Sequence, residues 1–264
     1  MEETKMNLSV TPEDQIIEMD IDRLHDFKNH PFRVETDANM LALKDSIEKY
    51  GILTPILVRP VLDGYYEVIS GHRRKYAAKQ LGYRKVPVII RVLRDDEAVV
   101  AMVDSNFQRE HILPSEKAFA YKMKYDVLRK DNKKSMYGQI DHRHKGKRTI
   151  QVLSEEFGES PKQIQRYLKL TQLIPELLSK LDDDGLSFSA ATEIAFLKEE
   201  EQRLFLEAME IVQATPSLSQ AQRIKQLGVE GKITLEVLQD LTRKHSMRRK
   251  IWIQRCERKP QRRQ

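Results

Sequence analysis

The stretch "VISGHRRKYAAKQLG", residues 68–82, sets an apolar run, a glycine, and then His72, Arg73 and Arg74 ahead of an alanine-bearing helical pattern. Such an order leaves the amide N–H groups of a helix N-terminus free, with Gly71 letting backbone approach a bound group. Arg73 and Arg74 add planar donor forks that match phosphate oxygens. The chemistry is that of a polyphosphate cradle. Read alone, the same residues equally suit a solvated surface helix.

A second constellation bears on that choice. In "VDSNFQREHILPSEKAFAY", residues 103–121, Asn106, Gln108 and Arg109 fall within one helical turn ahead of His111. Two amides and a guanidinium so spaced can converge on one ligand, although an ordinary amphipathic helix end has the same look. A third set reads as a helix-turn-helix. Val152, Leu153 and Phe157 face inward, Gly158 permits a tight turn, Ser160 caps the next helix, and Ile164 with Leu168 packs it back. Lys162, Gln163, Gln165, Arg166 and Lys169 are then left for base edges or phosphates. A helical hairpin that binds nothing has the same apolar pattern.

Other chemistry is poorly supported. Asp141, His142 and His144 are adjacent donors in a basic stretch without a fixed fourth ligand, which makes a poor metal cage. Cys256 is the single cysteine, so neither an intramolecular disulfide nor a thiolate cluster is available.

The elements that must position these groups divide the chain. "DANMLALKDSIEKYG" carries helical spacing that Gly51 stops, and "ILTPILVRPVLDGYYEVIS" reads as a β-hairpin turning at Asp63-Gly64. A short helix through Gln80 ends at Gly82, and "VPVIIRVL" is a third strand. From residue 95 on the pattern is helical, with Pro114 suited to a first helical position. The expected class is α+β: a flexible N-terminus (1–15), a small mixed α/β module (16–95), connecting helices (96–130), a polar insert or linker (131–148), a helix-turn-helix domain (149–215), and a helical C-terminal region with a basic tail (216–264).

Charge follows the same division. Residues 243–264 hold ten Lys/Arg against Glu257 alone, whereas the remainder carries 36 Lys/Arg against 39 Asp/Glu, so the net charge of +6 is an attribute of the tail. Within it, Trp252 between Ile251 and Ile253 forms an apolar island suited to a partner contact. The opening "MEETKMNLSV" lacks a cationic segment followed by an apolar run, and no window is apolar enough for a membrane span, which leads to the expectation of a cytoplasmic protein.

Taken in order, "GILTPILV" at 51–58, "GHRRKYA" at 71–77, "SNFQREHIL" at 105–113 and "VLSEEFGESPKQIQRYLKL" at 152–170 resemble the ParB-type partition proteins, including plasmid and integrative-element members. The resemblance spans about residues 16–200 and implies CTP with Mg2+ in the N-terminal module. It implies Gly71, His72, Arg73 and Arg74 at the phosphates, Gln108 and Arg109 beside them, Asn106 on the metal side, and the backbone of Thr54 and Pro55 near the base. It further implies double-stranded DNA with a palindromic centromere-like site, a homodimeric clamp, a ParA-type ATPase partner, and residence on a nucleoid or plasmid. Two departures stand out: His72 and Ser105 occupy positions where the pattern has glutamates. A hydroxyl is a poorer magnesium ligand than a carboxylate, so at most weak CTP hydrolysis is expected. A transcriptional regulator of a mobile element with a degenerate nucleotide module is the alternative; enzymes sharing the module are disfavoured, since no cysteine lies beside the turn.

Overall fold

The computed structural model describes residues 15–34, 36–109, 111–135 and 148–243. The expectations for the N-terminal segment before them, for Asp141, His142 and His144, and for the tail with Trp252 and Cys256 fall outside the described residues. The described residues pack as two units. One contains those up to Ile112 and those between Met123 and Thr149; the other contains Leu113–Lys122 and the residues from Ile150 onward.

The first unit is built on a five-stranded mixed sheet. Its strands are β1 (Ile16–Asp20), β2 (Leu24–His25), β3 (Ile56–Pro60), β4 (Tyr66–Ser70) and β5 (Lys85–Ile90), in spatial order β1-β5-β3-β4-β2. The antiparallel β3–β4 pair is the expected hairpin, and both turn residues take positive φ, Asp63 at 62° and Gly64 at 75°. Ile56, Leu57 and Val58 are all buried, as befits a central strand covered on both faces. Ile56, Val58, Val68, Val86 and Val88 share a core with Ala78 of helix α2 (His72–Gln80). Helix α1 (Ala38–Tyr50) packs on α2 through Met40, Ile47 and Ala77.

Alternate β-strand residues face opposite sides of the sheet. On the side of Leu57, Arg59 reaches Glu67 (Nη2–Oε2 2.6 Å) and Asp95 (Nη1–Oδ1 2.7 Å), the first residue of helix α3 (Asp95–Asn106). Helix α4 (Pro114–Ser135) begins at the proline and runs through residues 131–135, which the sequence reading assigned to the polar insert. The sequence there remains compatible with helix because Asp, Asn, Lys and Ser break a helix far less than Gly or Pro does. Within the first unit Lys124 of α4 is buried and donates to Asp104 of α3 at 2.5 Å.

The second unit is helical: α5 (Thr149–Phe157), α6 (Pro161–Leu170), α7 (Pro175–Asp182), α8 (Phe188–Ile194), α9 (Glu199–Val212), α10 (Leu218–Val229) and a helical stretch at 235–243. Leu153, Ile164, Leu170, Leu177, Ile194 and Phe205 are fully buried. Gln202 of α9 is only 1% exposed. Its amide accepts from the Ile174 N–H (2.9 Å) and donates to the carbonyls of Gln172 and Leu197 (both 3.0 Å), binding the α6–α7 and α8–α9 connections to one side chain. No helix among the described residues is long and apolar enough to cross a membrane.

Candidate functional site

The turn between β4 and α2 is held open by Gly71 at φ +104°, a conformation that L side chains rarely adopt. A Cβ there would sit 3.2 Å from Arg74 Nη2 and 3.3 Å from both Arg74 Cζ and Ile56 Cγ1. The glycine therefore makes room for a guanidinium laid across the turn. Arg74 Nη1 donates to the carbonyl of Thr54 and, at 2.7 Å, to that of Pro55. Burial pushes the Arg74 guanidinium below the usual arginine range.

Arg73 is engaged differently. Its Nη2 lies 2.8 Å from Asp37 Oδ1, and Asp37 caps α1 by accepting the Met40 N–H at 2.6 Å. Arg73 holds the Asp37 carboxyl below the usual carboxylate range, with the Met40 amide adding to the effect. Of the two forks expected at phosphates, one thus braces the 54–55 loop and the other rests on an exposed carboxylate. The structure brings Thr54, Pro55, Gly71 and Arg74 together and sets Arg73 toward α1.

His72 points elsewhere, into the wall of a cavity of about 510 Å3 lined also by Asp26, His30, Phe32, Val34, Lys75, Tyr76, Lys79 and Gln80. Positions 72, 75, 76, 79 and 80 are one stripe of α2, since residues three and four apart share a helix face. The volume lies in the ordinary range for small-molecule pockets. His30 and His72 stack with ring centres 3.8 Å apart. His30 Nδ1 donates to the Phe32 carbonyl at 2.7 Å, which leaves Nε2 as a buried acceptor without a partner. Lys75 Nζ pairs with Asp26 Oδ1 at 2.7 Å. The Arg109 guanidinium stands 5.3 Å from the centre of the Phe32 ring, which joins Arg109 to this wall. A cavity with an apolar floor, ammonium groups and the adjoining N-terminus of a nine-residue helix fits an anionic ligand with a flat apolar part.

The remaining residues of the second constellation are arranged less openly. Asn106 is buried, and its Nδ2 donates to the Met102 carbonyl at 2.8 Å; Ser105 Oγ donates to the same carbonyl at 2.9 Å. Gln108 is exposed just beyond α3. Magnesium is usually held by one or two carboxylates together with phosphate oxygens and water. Asn106 has Ser105 rather than a carboxylate beside it, and no group of three His, Cys, Asp or Glu suited to a metal occurs among the described residues. The donor set does not fit a metal chelated by the protein.

Burial, then the neighbouring His30, push His72 down to about 3, while Asp26 opposes the shift and Lys75 and Arg109 add to it. The folded value lies below the ordinary 6.5, so between these values the unfolded chain binds more protons. Stability conferred by the neutral ring is complete above about pH 6.5 and is lost as pH falls toward 3. Urea midpoints of the wild-type protein are therefore expected to hold steady down to about pH 6.5 and to fall on further acidification toward about pH 4, and His72→Gln should flatten the curve. Parallel curves for the two proteins would remove His72 as the cause.

In the second unit the turn between α5 and α6 has Gly158 at φ +67° and Ser160 as N-cap, its Oγ accepting the Gln163 N–H at 3.2 Å. Lys162 and Gln165 are exposed on α6. Arg166 is pre-positioned: Nη2 donates to Ser189 Oγ at 2.8 Å, Nη1 to Gln163 Oε1 at 3.3 Å, and the guanidinium lies 4.7 Å from the Phe188 ring centre. Lys169 donates to Gln172 and lies 4.0 Å from the Phe196 ring centre. Sequence reasoning missed Lys75, Tyr76 and Lys79, whose spacing from His72 was a usable signal. It also missed His30 and Phe32, which carry none until the 26–34 segment is folded against α2.

Comparison with known proteins follows the same order of motifs. The family model of the ParB N-terminal domain matches residues 6–107. Nucleoid occlusion proteins of Bacillus thuringiensis (strain Al Hakam) and Bacillus cereus (strain AH820) are each 30% identical over 220 residues, covering 83% of this chain and 69% of the relative. A C-terminally truncated chromosome-partitioning protein ParB from Caulobacter crescentus, complexed to the centromeric parS site, is 25% identical with a TM-score of 0.44, covering 86% of this chain and 99% of that one. The same protein complexed with CTP-gamma-S gives a TM-score of 0.34 at 25% identity, with coverages of 80% and 98%.

Proposed function

Because the chain belongs to the ParB family of partition and nucleoid occlusion proteins, we propose that it is a nucleotide-switched, sequence-specific DNA-binding protein acting in plasmid or chromosome segregation. Its first unit takes CTP and its second reads duplex DNA at a palindromic site, as a homodimer. The observation that carries this reading is one chain holding both a glycine-opened helix N-terminus beside a cationic cavity and an N-capped α6 that presents Lys162 and Gln165 to solvent. The Caulobacter relatives bound to parS and to CTP-gamma-S are in keeping with it.

Within this reading the triphosphate meets the amides at the start of α2, with Lys75, Lys79 and Arg109 as cationic partners, and the base lies toward the Thr54–Pro55 backbone. Any magnesium would have to be held by the nucleotide's own phosphates, since the residues beside Asn106 offer it no carboxylate. Residence on a nucleoid or plasmid, and a ParA-type ATPase as partner, belong to the same proposal. Ser105 in place of a carboxylate makes the nucleotide a ligand to be held rather than cleaved.

Calorimetric titration of CTP with and without duplex DNA tests the reading, and micromolar binding promoted by a cognate palindrome is the expected result. Absence of CTP binding with retained DNA binding would leave a DNA-reading regulator, a reading favoured by the engagement of both Arg73 and Arg74 within the protein. Arg74 has its own test. As a brace for the loop, Arg74→Ala should weaken CTP, CDP and CMP by a common factor of about ten. Were Arg74 a phosphate contact, the variant would instead reduce CTP to the affinity of CMP.

A further inference from the structure

The second unit gathers two lysines from different helices on one aromatic ring. Lys169, in the last turn of α6, has its Nζ 4.0 Å from the centre of Phe196, and Lys225 of α10 has its Nζ 3.5 Å from the same point. Phe196 is 51% exposed, so the cluster lies at the surface. Lys225 also pairs with Glu193 of α8 at 2.9 Å, and Lys169 donates to the neutral amide of Gln172. Glu193 thus offsets Lys225, while the hydrogen-bond partner of Lys169 carries no charge. Burial first, and the neighbouring Lys225 second, push Lys169 below the ordinary lysine range.

A single cation over the ring would serve packing. Lys169 alone would suit the negative end of the α6 dipole. Neither purpose calls for a second ammonium brought by α10 into repulsion with the first. An anion touching both removes the repulsion and uses their remaining donors, and the aromatic face keeps both chains from collapsing onto other partners. The cluster sits at the end of the helix that presents Lys162 and Gln165, so an oxyanion there would lie alongside whatever α6 reads.

We propose that Lys169 and Lys225, held on Phe196, form one seat for a backbone phosphate of duplex DNA, fixing the register of α6 without reading sequence. The inference rests on the DNA-binding reading and adds to it a contact from α10. Phosphate contacts position a protein on the duplex, and each neutralised phosphate contributes a slope of about −0.9 to log K against log salt.

The test is anisotropy titration of a mixed-sequence duplex across salt concentrations. Lys225→Gln is expected to make the slope shallower by about one unit, Lys169→Gln by the same amount, and the double variant by about one rather than two, because a single phosphate is shared. Phe196→Leu, which preserves charge, should lower affinity about threefold with little change in slope. Lys180→Gln, which removes the same charge from a lysine paired with Glu210, should leave the slope in place. Unchanged slopes in both lysine variants, additive losses in the double variant, an equal loss in Lys180→Gln, or wild-type affinity in Phe196→Leu would each overturn the seat. Wild-type protein that fails to bind duplex at low salt would overturn the DNA-binding reading itself. Thermal unfolding of each variant separates loss of contact from loss of fold.

Discussion

Gly71→Val is expected to abolish nucleotide binding and to lower the unfolding free energy of the first unit by about 2–4 kcal/mol. Two costs add. The backbone at φ +104° is strained for any residue with a Cβ, and that Cβ would press on the Arg74 guanidinium and Ile56. The Ile56 side chain is fully buried in the sheet core and cannot retreat, so the guanidinium must. Arg74 then leaves the carbonyls of Thr54 and Pro55, and the turn and the loop it braces move apart. Calorimetry with CTP and urea unfolding read the two effects separately. Gly71→Ala should fall between wild type and valine in both. A valine variant that binds CTP with wild-type affinity would show that the turn is not part of the site.

Gln202→Leu is expected to cost about 3 kcal/mol or more in the second unit. Leucine has nearly the shape of glutamine, so the cavity penalty is small; the loss is in polar groups. The Ile174 N–H and the carbonyls of Gln172 and Leu197 lose a partner in a place that water reaches poorly. Because Gln172 and Ile174 follow α6 directly, the variant should also loosen that helix and weaken DNA binding at temperatures where the unit is still folded. Circular dichroism melting and DNA anisotropy measured on one sample decide it. A melting temperature within a degree or so of wild type would mean that the amide network contributes little.

The extent to which the sequence carried this information depended on range. Asp63-Gly64, Gly158 and Ser160 act within a few residues of themselves, and the hairpin and the capped α6 were legible for that reason. Val152, Leu153 and Ile164 are buried as their helical spacing implied. Strand β1 was missed because it is an edge strand with Ile16 and Ile17 both exposed, so it lacks the alternation of a half-buried strand. Its partner β5 is some seventy residues away, and β2 has only two residues. Neither leaves a local trace.

The site shows the same division. That Gly71 opens an anion-favouring helix start was readable from residue types. That Arg74 would spend its donors on two backbone carbonyls was not, because carbonyls are present at every position and carry no letter. The Arg73–Asp37 pair joins positions 36 apart, and the stacked His30 and His72 rings are 42 apart. Such encounters exist only once α1, α2 and the 26–34 segment are folded together.

The strand order has a bearing on how the first unit comes into being. Only β3 and β4 meet through a short connection; β1 must wait for β5, and the parallel pairings of β2 with β4 and of β3 with β5 each close a long loop. Loop closure is an entropic cost that must be met before distant contacts return anything, so the hairpin is the natural nucleus and the outer strands condense onto it. Gly71 and Arg74 follow β4, and Thr54 and Pro55 precede β3, so all four lie at the open end of that hairpin. The brace across the turn therefore belongs to the earliest part of the chain to become ordered. During synthesis, however, β1 emerges first and remains an unpaired apolar edge until residue 90 has left the ribosome.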